Sequence, residues 1–138
     1  MNVYLDSSVV LRRLQREPAA LAGWAQWERA YSSALLRVEV LRTIDRNRLK
    51  AALTDDEVAE LVTQAHAIFD ATAIIPLHRS ILERAAQSFL TLLGTLDALH
   101  LATALRLKEV GEIDLTFLTH DAELAVAARS LNFAVEGI

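Results

Sequence analysis

Apolar residues recur in two spacings along this chain, and the change from one to the other divides it into alternating strands and helices. "VYL" (3–5) predicts a short strand and residues 8–15 a helix. Pro18 suits a helix first turn, where its missing N–H costs nothing, and predicts a helix to about Arg29. "AYSSALL" (30–36) predicts the second strand, and 36–50 reads as helical. In "TDDEVAELVTQAHAIF", Thr54 with Glu57 three residues on forms a capping box that opens a helix to about Phe69. "AIIPL" predicts a third strand, 79–92 a helix broken by Gly94, and "TLDALHLATALRLKEV" a helix stopped near Gly111. "LTFLT" predicts a fourth strand by its apolar and β-branched content. Asp121 then opens a helix to about Leu131, and "FAVEG" is a last strand. Asn132 stands where a C′ glycine often ends a helix. Strands separated by helices imply an α/β protein with a parallel sheet covered on both faces.

In such a sheet, ligands bind beyond the carboxyl ends of the strands. The pattern places Asp6 after the first strand and Asp121 after the fourth. Each also suits the N-cap of the helix that follows, with Ser7 or Ser8 sharing the role at Asp6 and Thr119 beside Asp121. Asp97 sits in "FLTLLGTLDALHLATAL", a helix apolar nearly all round and therefore buried. A charge there needs a partner, a metal or a raised pKa. His100, three residues on, is the one local candidate partner. Glu39 lies between Val38 and Val40, with Arg42 at the spacing of a simple helical ion pair. Should the four acids converge, they make an all-oxygen site suited to Mg²⁺ or Mn²⁺ and not zinc.

Other polar and aromatic residues read more plainly. His66 and His78 suit surface or boundary positions, and His120, beside Asp121, is either a bystander or a substrate contact. Trp24 and Trp27 fall on one face of the predicted 18–29 helix and suit packing. Asp55, Asp56 and Glu57 are N-terminal helix acids.

The 138 residues fit one domain, 1–138, large enough to fold without staples. No cysteine is present, which excludes disulfides, thiolate catalysis and cysteine-type zinc sites. Asp6, Arg12 and Arg13 interrupt the first apolar run, so a signal peptide is not expected. No apolar stretch approaches the ~20 residues of a membrane span. A cytoplasmic protein is expected. The net charge is −4, yet residues 1–50 carry +4 and 51–138 carry −8. Arg12, Arg13, Arg16, Arg37, Arg42, Arg46, Arg48 and Lys50 are either a solvated helical face or a phosphate-binding rim.

The order "YLDSS", "SSALLRVEVLR", "TLDALHLATAL", "FLTHDAEL" resembles the PIN domain, and within it the VapC-type toxins of bacterial toxin–antitoxin pairs. The resemblance runs over nearly the whole chain. It implies a three-layer α/β/α sandwich and places an acidic quartet on Asp6, Glu39, Asp97 and Asp121. Ser7 or Ser8, and Thr119, take the places of supporting hydroxyl residues, and Glu123 that of an outer acid or a solvated helix residue. Asn132 departs from a commoner glycine. The implied activity is an endoribonuclease dependent on Mg²⁺ or Mn²⁺, with water activated by the ion and either Asp6 or Asp97 as a candidate base. Arg12, Arg13, Arg42 and Arg46 are candidate phosphate contacts. A cognate antitoxin and a homodimer are the implied partners, with no membrane.

Two other acid-bearing parallel folds fit less well. A phosphoacceptor domain wants paired acids after the first strand and a lysine after the last, whereas "DSS" holds one acid and the lysines are Lys50 and Lys108. A haloacid-type phosphatase wants Asp-x-Asp, and Ser8 occupies the second slot. A non-catalytic PIN-like binding or regulatory module is the remaining alternative.

Overall fold

The computed structural model describes residues 1–18 and 20–138. Among them, helices and strands alternate as β1 (Asn2–Leu5), α1 (Ser7–Leu14), β2 (Arg29–Ser33), α2 (Leu35–Lys50) and α3 (Asp55–Asp70). There follow β3 (Thr72–Ile75), α4 (Arg79–Ala85), α5 (Thr95–Glu109), β4 (Leu115–Leu118), α6 (Ala122–Ser130) and β5 (Ala134–Glu136). The strands form one sheet in the order β3-β2-β1-β4-β5, and every pairing is parallel. The strand order reverses about β1, so the crevice beyond the ends of β1 and its neighbours is the topological switch point.

Strand alternation sends successive side chains to opposite faces. Val3, Leu5 and Leu118 pack on one face with Val9, Val10 and Leu14 of α1, Leu36, Val40 and Ile44 of α2, and Ala65 and Phe69 of α3. Tyr4, Tyr31, Leu115 and Phe117 pack on the other with Leu101, Ala104 and Leu105 of α5 and Leu124, Ala127 and Ala128 of α6. Tyr4 and Phe117 stack across β1 and β4 at 5.1 Å between ring centroids. Two core layers around one sheet make the expected three-layer sandwich.

Local signals held where they were strongest. The capping box is present: Glu57 N–H donates to Thr54 Oγ1 at 3.1 Å, and Thr54 N–H donates to Glu57 Oε1 at 3.2 Å. Asn132 adopts φ 65 past the end of α6, the left-handed conformation that an asparagine tolerates. Helix α5 is buried over most of its circumference.

Two helices differ from expectation. The predicted helix over 18–29 is absent: residues 20–28 are turns and bends, and Ala19 lies outside the described residues. Gly23 and Ala25 take positive φ, 73 and 64, which no right-handed helix contains. Trp24 and Trp27 still pack against the core, but as an edge-to-face pair at 5.1 Å, with Arg13 over Trp24. The helix expected over 79–92 stops at Ala85. Arg84 Nη1 donates to the Ser88 carbonyl at 3.2 Å and the guanidinium lies over Phe89, holding a bend. Leu90 and Leu92, which completed the apolar pattern, stay 76% and 82% exposed. Gly94 serves as the N-cap of α5. Among the described residues, no helix is long and apolar enough to cross a membrane.

The capping box predicts a stability effect. Thr54→Ala removes a donor's partner at the α3 N-terminus and should lower unfolding free energy by about 1 kcal/mol. A denaturant titration at constant m-value reads it.

Candidate active site

Asp6 follows β1 directly and is only 3% exposed. Its N–H donates to the Leu118 carbonyl at 3.0 Å, continuing the β1–β4 ladder by one residue. A carboxylate so far from water needs donors. Its Oδ2 accepts from Ser8 Oγ at 2.6 Å and Thr119 Oγ1 at 2.9 Å, and more weakly from Ser8 N–H at 3.4 Å. Asp6 therefore caps α1, as its position suggested, and stands just past the carboxyl end of β1. Thr119 is fully buried. Its Oγ1 also accepts the Asp121 N–H at 3.0 Å. Asp121 caps α6 through the Leu124 N–H at 2.9 Å.

Glu39, one turn into α2, forms no ion pair with Arg42 among the described residues. Its Oε2 accepts from Ser7 Oγ at 3.3 Å, and its Oε1 accepts from His100 Nε2 at 2.5 Å. His100 belongs to α5 and is fully buried, with its Nδ1 meeting the Tyr4 hydroxyl at 2.8 Å. The expected local Asp97–His100 pair is thus replaced by a bridge between α5 and α2. Burial opposes the charged imidazole, but the Glu39 hydrogen bond and the charges of Asp6, Glu39 and Asp97 outweigh it and hold the pKa above its ordinary value. His100 Nε2 is also 3.9 Å from Asp6 Oδ1. Burial, then the charge of Asp6, pushes the Tyr4 hydroxyl well above its usual range. Tyr4 was not singled out by sequence. Its only signal was a hydroxyl on a strand whose neighbours, Val3 and Leu5, are apolar.

Asp97 lies half-buried in the first turn of α5. Burial, then the charges of Asp6 and Asp121, raises its carboxyl pKa to about 6, with Glu39 adding and His100 opposing. The four acids therefore share one electrostatic environment. As the side chains stand, no three His, Cys, Asp or Glu among the described residues are drawn round a common point. Hydroxyls hold Asp6; Ser7 and His100 hold Glu39; and the Leu124 N–H holds Asp121. The donor set itself is all oxygen with crowded negative charge, which fits a hard divalent cation.

The other candidates separate. Ser8 and Thr119 hold Asp6, and Ser7 holds Glu39. Arg12 pairs with Glu17 at 3.2 Å and Arg13 lies over Trp24. Arg42 and Arg46 are exposed on α2, at the spacings that continue one helical ridge from Glu39. Glu123 is exposed at the start of α6. His66 is partly buried, edge-to-face with Phe69, and His78 is exposed.

The chain as a whole is similar to known proteins. Residues 3–130 match the family model for the PIN domain. The chain belongs to the PIN-domain family. It is 36% identical to Ribonuclease VapC46 of Mycobacterium tuberculosis over 138 residues, covering 96% of this chain and 95% of that protein. It is 30% identical to Ribonuclease VapC47 of the same species over 139 residues, covering 95% and 93%. A toxin–antitoxin complex from Klebsiella pneumoniae shares the fold, with a TM-score of 0.68 at 15% identity over 99% of this chain and 98% of that one.

The Asp97 pKa carries a sign. A carboxyl raised from 3.8 to about 6 binds its proton more tightly when folded. Stability of the metal-free protein should therefore fall as pH rises from about 4 to about 6 through this group. Asp97→Asn removes that loss, so at pH 7.5 in EDTA the variant should melt no lower than wild type. A thermal scan across this pH range checks both.

Proposed function

We propose that this chain is a divalent-metal-dependent endoribonuclease, the toxin half of a VapBC-like pair. What supports the assignment is that the charges of Asp6, Asp121 and Glu39 all act on Asp97, in a relative of two proteins named ribonucleases. These four would hold Mg²⁺ or Mn²⁺. When bound, the ion supplies a lowered water pKa and neutralises charge developing on the phosphate.

The chain's own residues set the stage for that chemistry. Ser8 and Thr119 fix Asp6 so that Oδ2 is held and Oδ1 faces His100. His100, backed by Tyr4, aims Glu39. The buried body of α5 shields the cluster from behind. Arg42 and Arg46, free of ion pairs to acids among the described residues, extend from Glu39 along α2 and suit phosphate contacts. Arg12 and Arg13 are engaged elsewhere and contribute less.

A cognate antitoxin is the protein partner that follows from this assignment, and a homodimer in the cytoplasm its setting. Leu82, Leu90, Leu92 and Leu96 supply exposed apolar surface for such contacts.

The test is cleavage of a labelled RNA panel by purified, partner-free protein with Mg²⁺, Mn²⁺ or EDTA. Cutting should require metal, and Asp97→Asn should slow it by about a hundredfold or more. Cutting that persists in the variant or in EDTA overturns the assignment. Folded protein that binds metal yet cuts nothing would instead support a non-catalytic PIN-like module.

A further inference from the structure

Thr119 joins two acids. Its Oγ1 donates to Asp6 Oδ2 at 2.9 Å and accepts the Asp121 N–H at 3.0 Å. A shift of Thr119 therefore moves two carboxylates relative to one another. Yet Thr119 stands just past the end of β4, and its outer neighbour β5 is an edge strand of three residues. What holds the loop lies in the next residues of both strands.

Thr119 N–H donates to the Glu136 carbonyl at 3.1 Å, extending the β4–β5 ladder. His120 N–H donates to Ser8 Oγ at 2.9 Å. The His120 ring turns to the strap after β5, where Nδ1 meets the Gly137 carbonyl at 2.6 Å. A carbonyl only accepts, so Nδ1 carries the hydrogen. Nε2 is buried without a partner among the described residues, so this edge of the ring is not presented to solvent. Gly137 lies against the same loop. A Cβ there would stand 2.4 Å from the Thr119 carbonyl oxygen, and its φ of +107 is one that L residues rarely adopt.

We infer that His120 and Gly137 form a clasp that positions Thr119 and Asp121, making His120 a positioning residue of the acid site and not a substrate contact. The kinetic consequence rests on the ribonuclease assignment; the structural consequence does not. The clasp uses a side-chain donor at the δ position. An asparagine amide at 120 can supply that donor, and a leucine of similar bulk cannot.

The experiment uses the full chain as wild type, His120→Asn, His120→Leu and Gly137→Ala. In metal-free wild type, ¹⁵N spectra of the His120 ring should show hydrogen on Nδ1. Amide exchange at Thr119 and Asp121 should quicken by roughly tenfold or more in His120→Leu, and stay near wild type in His120→Asn. In RNA cleavage, His120→Leu and Gly137→Ala should lose roughly tenfold to a hundredfold in kcat with KM little changed. His120→Asn should restore most of kcat.

A ring carrying hydrogen only on Nε2, or wild-type exchange in His120→Leu, overturns the clasp. A loss confined to KM that asparagine does not restore also overturns it, by making His120 a substrate contact. Should wild type cleave no RNA, the ribonuclease assignment fails, while the tautomer and exchange still decide the clasp. Should His120→Leu not fold, the wild-type tautomer and the exchange of Gly137→Ala decide it.

Discussion

A carboxylate withdrawn from water at the end of the central strand is the constraint around which the rest is arranged. Asp6 has almost no exposure, so hydroxyls or a cation must meet its charge. Ser8 comes from the helix that Asp6 caps, and Thr119 from the neighbouring strand. Both are short side chains. Thr119 reaches only because β1 and β4 pair in parallel with Leu5 opposite Leu118. A slip of one residue would send the threonine to the other face of the sheet. Sheet register and site geometry are therefore one problem.

A second polar line runs from the sheet to the same edge: Tyr4, His100, Glu39, Ser7. It ties α5, on one face of the sheet, to α2, on the other. A fully buried imidazole is costly unless its nitrogens are engaged, and here both are. The satisfied network rigidifies the place where the two layers meet. It also means that each oxygen of Glu39 already has a partner, one in Ser7 and one in His100.

The acids repel one another, while hydrogen bonds hold Asp6, Glu39 and Asp121 in place. Burial raises the Asp97 pKa first, and the charges of both neighbouring strand-end acids add to it. A basic first third and an acidic remainder meet at this edge, with Arg42 and Arg46 beside Glu39 on the basic side. Such an arrangement accepts a polyanion only where positive charge, from arginine or a bound ion, outweighs the carboxylates.

The sequence alone determined the alternation of five strands and the helices between them, the Thr54 capping box, the buried character of α5 and the stations of the four acids. Each rests on residues close in the chain, where periodicity and caps act directly. It misled at 18–29, where Trp24 and Trp27 stand at helical spacing but pack from a turn, and at 79–92, where Leu90 and Leu92 extended the apolar pattern past the end of α4. Gly23 bends the first pair into a turn, and the second pair stays in solvent. Only the tertiary structure decided the partners. Local spacing offered His100 to Asp97 and Arg42 to Glu39; packing instead joined His100 to Glu39, 61 positions away. The reason is physical: neighbours along one helix compete with neighbours across the core, and the buried contact prevails because a buried polar group left unpaired costs more than an exposed ion pair returns.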